Sequence, residues 1–373
     1  MQGIELSRGF YTDIVRPWLR DVAPDLRYSA SLTTYGSELL GFDDKTSRDH
    51  NWGPRVHIIV TPAQFDALAR QLVDEFSKIA PASYRGEPIG WRSRPHPPAN
   101  GVEAAGALEH GLEFHTLEAL LEGHFAIRSA EGLDPLQWLG FAEQKLLAFT
   151  SAPVFHDDDG RLRHAQDRLA YFPDDIWLYK IACQWRRIAE EQAFVGRAGQ
   201  VGDDLGSRVI ATRLARDVMR MGFLLERRYA PYSKWFGSGF AGLPIAASLS
   251  PHLQRALLSS EWTERQDALA AAYLELARHQ NAIGVARFEP IVGPYHERPF
   301  TTINADDAVA AAQAAISDAA IKRLPIVGAL DQVSDLTPLL QDARLSQRMM
   351  RQLPRVTTSY APPAGSSASE NPW

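Results

Sequence analysis

Cysteine is almost missing from this chain: Cys183 is the only one among 373 residues. That excludes an intrachain disulfide and any cysteine-based zinc cage, and it fits a reducing compartment. Ile181, Trp185 and Ile188 surround Cys183 at helical spacing, which reads as a small core residue rather than a nucleophile. No apolar run approaches the ~18–20 residues of a membrane-spanning helix, and the first residues lack the apolar stretch of a secretory signal. The expected compartment is therefore the cytoplasm, with no membrane partner. Gly-x-Ser-x-Gly, His-Glu-x-x-His and GxxxxGK[ST] patterns are also absent, leaving serine hydrolases, zincins and P-loop NTPases without support. There is no surplus of positive charge either: 39 Lys and Arg stand against 45 Asp and Glu, a formal net charge of -6. Such a balance argues against a general nucleic-acid binder, although a tRNA-like substrate needs only a local basic face.

What is present is concentrated between Tyr35 and Val60, YGSELLGFDDKTSRDHNWGPRVHIIV. Gly36 lets a backbone approach a bound group closely, and Ser37 adds a hydroxyl and an amide N–H beside it. Asp49 and Asn51 are two apart, so on a strand both face the same way, with His50 opposite. Oxygen ligands side by side at the start of a strand suit a hard cation holding a phosphate chain. The competing reading is a polar Asp- and Gly-rich loop ahead of a half-buried strand.

Along the chain, residues 4–20 form an amphipathic helix that Pro17 should bend or end early. Strands are expected at 28–34 and, more firmly, at the β-branched Val56–Val60. Thr61 caps and Pro62 opens a helix to about residue 80. Residues 81–106 read as an irregular Pro-, Gly- and Arg-rich insertion. LEHGLEFHTL contains another strand, with Glu113 and His115 on one face. Asp134 caps the next helix, and FHDDDGRLRH reads as a solvated turn rather than a metal site. From Pro173 long helices dominate, broken by the glycine-containing loop GRAGQVGDD. The tail beyond Pro362 is poor in apolar residues and reads as disordered.

The segments GSELLGFDDKTSRDHNWGPRV, LQWLGFAEQKLLAFTSAPVFHDD, WLYKIACQWRRIAEEQAFVGRAGQVGDDLGSRVIATRLARDVM, YAPYSKWFG, RHQNAIG and RPF carry a family resemblance. They are similar to a bacterial family of unknown function within the nucleotidyltransferase superfamily, the fold of DNA polymerase β and kanamycin nucleotidyltransferase. That signature is Gly-Ser, a short spacer, then two acids separated by one residue on a strand. The resemblance spans residue 4 to about 335. It implies an α+β chain: a nucleotidyltransferase-like mixed sheet with helices over 1–130, an all-helical closing domain over 131–361, and a tail over 362–373. It further implies a nucleoside triphosphate co-substrate, Mg²⁺ or Mn²⁺, and transfer of a nucleotidyl group to a hydroxyl, here of a small-molecule acceptor.

Carried onto this chain, Gly36 and Ser37 would hold phosphate oxygens and Asp49 would ligate metal. Position 51 departs from the pattern: Asn51 stands where the family has its second acid, and an amide oxygen adds no negative charge to a hard-cation site. This departure keeps a second reading in play, an inert nucleotidyltransferase fold that binds nucleotide or a partner and regulates. Asp43 and Asp44 are acids that could compensate, but from the wrong position. Glu113 is the candidate third acid. Lys234, among aromatics in YAPYSKWFG, either neutralises phosphate charge or lays its stem on Trp235. Arg197 and Arg208 flank a glycine loop and a helix start, a setting that favours anions, while Asp203 and Asp204 read first as caps. Glu191 is a candidate general base, against the plainer reading of Glu190-Glu191 as a solvated helix face. His110 and His115, five apart, fall on opposite faces of a strand, so they are not a metal pair.

Overall fold

The computed structural model describes residues 2–33, 36–44, 46–47, 52–91 and 109–355. Asp49 and Asn51 lie outside the described residues, as do most of the expected insertion and the tail. An N-terminal mixed α/β region with a small sheet is followed by a largely α-helical region, an α+β arrangement. The chain divides into two compact units that interleave along the sequence. One comprises residues 1–134, 141–172 and 222–247; the other comprises 135–140, 173–221 and 248–373.

The sheet of the first unit has four strands: β1 (Ser29–Ser31), β2 (Val56–Val60), β3 (Leu112–Thr116) and β4 (Val154–Asp157). Their spatial order is β3-β2-β1-β4. β2 and β3 run parallel, and β1 is antiparallel to both β2 and β4. The parallel pair requires a crossover, supplied by the helical stretch that ends with Arg70–Ile79. Alternation along the strands sends Ala30, Val56, Ile58, Val60, Leu112 and Phe114 to one face. There they pack with Leu6, Phe10, Leu72 and Phe76 in a single apolar cluster. Each fully buried Val, Leu, Ile or Phe among them contributes roughly 1.5–3 kcal/mol. The opposite face carries the intervening residues, Ser31, His57, Glu113 and His115.

Several expectations are corrected. The first helix does not end at Pro17; it runs Gly3–Phe10, a π turn at Tyr11–Val15, then Arg16–Val22. A proline ring clashes with the carbonyl four residues back, and here that residue, Asp13, lies in the wider turn. FHDDDGRLRH is only partly a turn, because its first residues belong to β4. The three aspartates tie this edge strand to the chain entering β1. Asp157 accepts from Ser29 Oγ at 2.7 Å, Asp158 from the Tyr28 amide at 3.0 Å, and Asp159 pairs with Arg27. The segment after residue 81 opens with a tight hairpin, Ser83–Tyr84 against Glu87–Pro88. Arg85 and Gly86 take φ of 51° and 85° at its tip, the conformation that a two-residue hairpin requires.

In the second unit the helix Asp174–Glu191 carries buried Trp185, whose indole N–H donates at 2.8 Å to Gln280 Oε1 of the helix Trp262–Ala282 and whose ring meets Phe288 edge-on. This region is not all-helical. A hairpin of Val292–Tyr295 and Arg298–Ile303 interrupts it, and the Gln192 amide fixes Ile303 by both its N–H and C=O, at 2.9 Å each. GRAGQ is no loop either: Phe194–Gln200 is a helix. A Cβ on Gly196 would lie 2.6 Å from Phe300, and one on Gly199 would overlap Trp262. These glycines permit close packing against Phe300 and Trp262.

Candidate metal centre

On the polar face of the sheet, parallel pairing sets His57 beside Glu113 and Ile59 beside His115. Because Glu113 and His115 are two apart, the three functional side chains converge. His115 Nε2 lies 3.1 Å from Glu113 Oε2, His57 Nε2 lies 3.9 Å from the same oxygen, and the imidazole centroids are 4.9 Å apart. One ligand atom from each residue falls within 4.8 Å of the others. Both imidazoles are buried, whereas the Glu113 side chain is 41 % exposed, so the group has one accessible side. His57 Nδ1 is 2.7 Å from Thr33 Oγ1, a contact that fixes the ring's orientation.

Burial pushes His57 down to about 3, so its imidazole is neutral near pH 7 and able to act as a ligand. Burial would raise Glu113, but His57, His115 and Arg55 outweigh it and hold the carboxyl down at about 2. His124 borders the group from the helix Leu117–Phe125, and burial followed by the Lys145 charge brings it down to about 4. Two imidazole nitrogens and one carboxylate make a donor set for a borderline transition metal. They do not fit Mg²⁺, which takes oxygen ligands.

The other sequence-derived residues separate into local environments. Ser37 starts a short 3₁₀ turn and is 1 % exposed. The Trp235 indole N–H donates to its hydroxyl at 3.1 Å, and Tyr232 Oη is 3.4 Å away. Trp235 also stacks on Phe42, with centroids 4.9 Å apart. The structure therefore brings Ser37 to the segment that contains Lys234. The Lys234 ammonium sits 5.0 Å from the Trp235 ring centroid, a cation–π contact. Gly36 has a structural reason to be glycine, since a Cβ there would overlap the Glu38 carboxylate. That carboxylate forms a buried pair with Arg55. Asp43 accepts from the Gly3 amide at 2.6 Å and the Trp52 indole at 3.2 Å, and Asp44 accepts from the amides of Thr46 and Ser47. Both acids anchor backbone.

In the second unit, Glu191 pairs with Arg213 at 3.0 Å, and burial raises its carboxyl pKa. Arg197 lies on a helix and reaches Gln200 Oε1 at 3.1 Å. Arg208 pairs with Asp204 at 2.7 Å. Asp203 is the cap, accepting from the Gly206 amide at 2.8 Å, while Asp204 also pairs at 2.7 Å with Arg265, which is 0 % exposed. Sequence reasoning missed Arg265, Thr33 and, above all, His57. The signal for His57 was its odd position in an otherwise apolar strand, VHIIV.

Among the described residues, no helix is long and apolar enough to cross a membrane. No curated protein matches the chain. Residues 138–236 match a family model described as Domain of unknown function (DUF4037), a match that includes Glu191, Arg197, Arg208 and Lys234 but neither the sheet triad nor Gly36-Ser37.

Proposed function

We propose that this chain is a metal-dependent nucleotidyltransferase, moving a nucleoside monophosphate from a nucleoside triphosphate to a hydroxyl of a small molecule. The observation that carries the reading is Glu113. Its partly exposed carboxylate stands on the non-core face of a mixed sheet, on the strand parallel to β2, and β1 of the same sheet leads toward Gly36-Ser37. Lys234, one residue from the indole that holds Ser37, would offset phosphate charge. Acidic overall balance favours a small acceptor over a polynucleotide.

Ser37 favours a second reading, the inert binder: its hydroxyl is buried and already engaged, so a phosphate oxygen would have to displace Trp235 and Tyr232. The test is turnover. Purified chain is incubated with each labelled triphosphate, Mg²⁺, Mn²⁺ or Zn²⁺, and a cell extract, and pyrophosphate and new nucleotidylated products are sought. Metal-dependent product that disappears in both Asp49→Ala and Glu113→Gln supports the transferase. Calorimetric binding of a triphosphate without product supports the inert binder.

A further inference from the structure

We infer that His57, Glu113 and His115 form a site for a borderline divalent transition metal, of the class of Zn²⁺, Fe²⁺ or Co²⁺, instead of the Mg²⁺ expected of a nucleotidyl-transfer centre. The inference leans on the proposed function only for what the ion would do, since ion binding is read without any nucleotide.

Geometry is the first argument. Metal–ligand bonds of about 2.0–2.2 Å in a tetrahedron separate neighbouring ligand atoms by roughly 3.3–3.6 Å. The present separations to Glu113 Oε2 are 3.1 Å and 3.9 Å, with all three ligand atoms inside 4.8 Å. Each side chain needs to shift by roughly an ångström or less to close on an ion. All three stand on neighbouring parallel strands in fixed register, so the site is positioned by the sheet.

Chemistry is the second. Neutral imidazole ligates through nitrogen, and two such donors with one carboxylate bind Zn²⁺, Fe²⁺ or Co²⁺ in preference to Mg²⁺. With Nε2 ligating an ion, the His57 ring proton would sit on Nδ1, where Thr33 Oγ1 stands 2.7 Å away and can accept it. Thr33 is thus a positioning residue that selects the ligating tautomer. Three protein ligands leave a further coordination position free on the side where Glu113 reaches solvent.

The experiment uses the full chain, stripped with a chelator and titrated with Co²⁺ while visible absorption is recorded. One ion per chain should bind with intensified d–d bands of low-coordinate Co²⁺. Zn²⁺ should bleach the bands, and millimolar Mg²⁺ should leave them intact. Glu113→Gln and His115→Gln should each weaken binding by at least roughly tenfold, and Thr33→Val by about tenfold with an altered spectrum, restored by Thr33→Ser. Unchanged thermal unfolding of Glu113→Gln, whose side chain is partly exposed, separates ligand loss from misfolding. Only the weak spectrum of hydrated Co²⁺, or binding as tight in Glu113→Gln and His115→Gln as in the wild type, would overturn the site. Co²⁺ binding without nucleotide turnover would sink the transferase reading and leave the site standing; Mg²⁺-supported turnover without Co²⁺ binding would do the reverse.

Discussion

At Gly36 the packing itself asks for glycine. A methyl group there would press on the Glu38 carboxylate, which cannot swing away without giving up its buried pairing with Arg55. Gly36→Ala should therefore lower unfolding free energy by roughly 1–3 kcal/mol in a urea titration. A stability unchanged from wild type would mean that the carboxylate has room to move. Cys183 gives a second prediction at this scale. Burial pushes its thiol up to about 12, so a thiol-specific disulfide reagent at pH 8 should label it only after denaturant is added. The raised value also fixes a sign. The folded state favours the neutral thiol, so the associated stability is present below about pH 8.5 and is lost as pH rises from there, by up to ~1.4 kcal/mol per pH unit. Wild type should lose stability relative to Cys183→Ala over that range.

At the scale of elements, the start of the helix Asp204–Leu225 separates two kinds of acid. Asp203 accepts one backbone N–H, and Asp203→Ala should cost about 1 kcal/mol. Asp204 is exposed, yet it is the carboxylate partner of a fully buried guanidinium. Asp204→Ala should cost more than Asp203→Ala, because it takes a carboxylate from a buried guanidinium, and a chemical-denaturation series in which the two variants rank the other way would contradict this. The same segment shows what was legible in the sequence. Capping acids are local signals: Asp203 read correctly as the cap, whereas Asp204, read with it, pairs with Arg208 and Arg265. Gly196 and Gly199 read as a loop because the residues that pack on them, Phe300 and Trp262, are distant in sequence. Strands behaved similarly. VHIIV and LEFHT announced themselves, and period-two spacing alone placed Glu113 and His115 together. His57 joined them only through the register of β2 against β3, which no local pattern specifies. His110, once considered with His115, points instead to Val73 O and Ser77 Oγ at 3.3 Å and 3.0 Å.

For the molecule as a whole, linear sequence and compact unit do not coincide. The first unit draws β4 from residues 154–157 and the partners of Ser37 from residues 232–235. A fragment ending at residue 134 would lack one strand of the sheet and the aromatic cover over Ser37. Such a fragment should give no cooperative thermal transition, whereas the full chain should. A sharp transition in the fragment, followed by circular dichroism, would show that three strands suffice.

The late arrival of β4 also matters while the chain is being made. β1 lies between β2 and β4 in the finished sheet, yet its second neighbour is encoded more than a hundred residues downstream. At about 5–20 residues per second, the ribosome takes roughly 6–25 s to supply it. During that interval Ser29, Ala30 and Ser31 expose unpaired N–H and C=O groups, a template on which another nascent chain can pair. A ribosome stalled just before residue 154 should therefore hold a chain that recruits chaperone, and release to residue 157 and beyond should shed it.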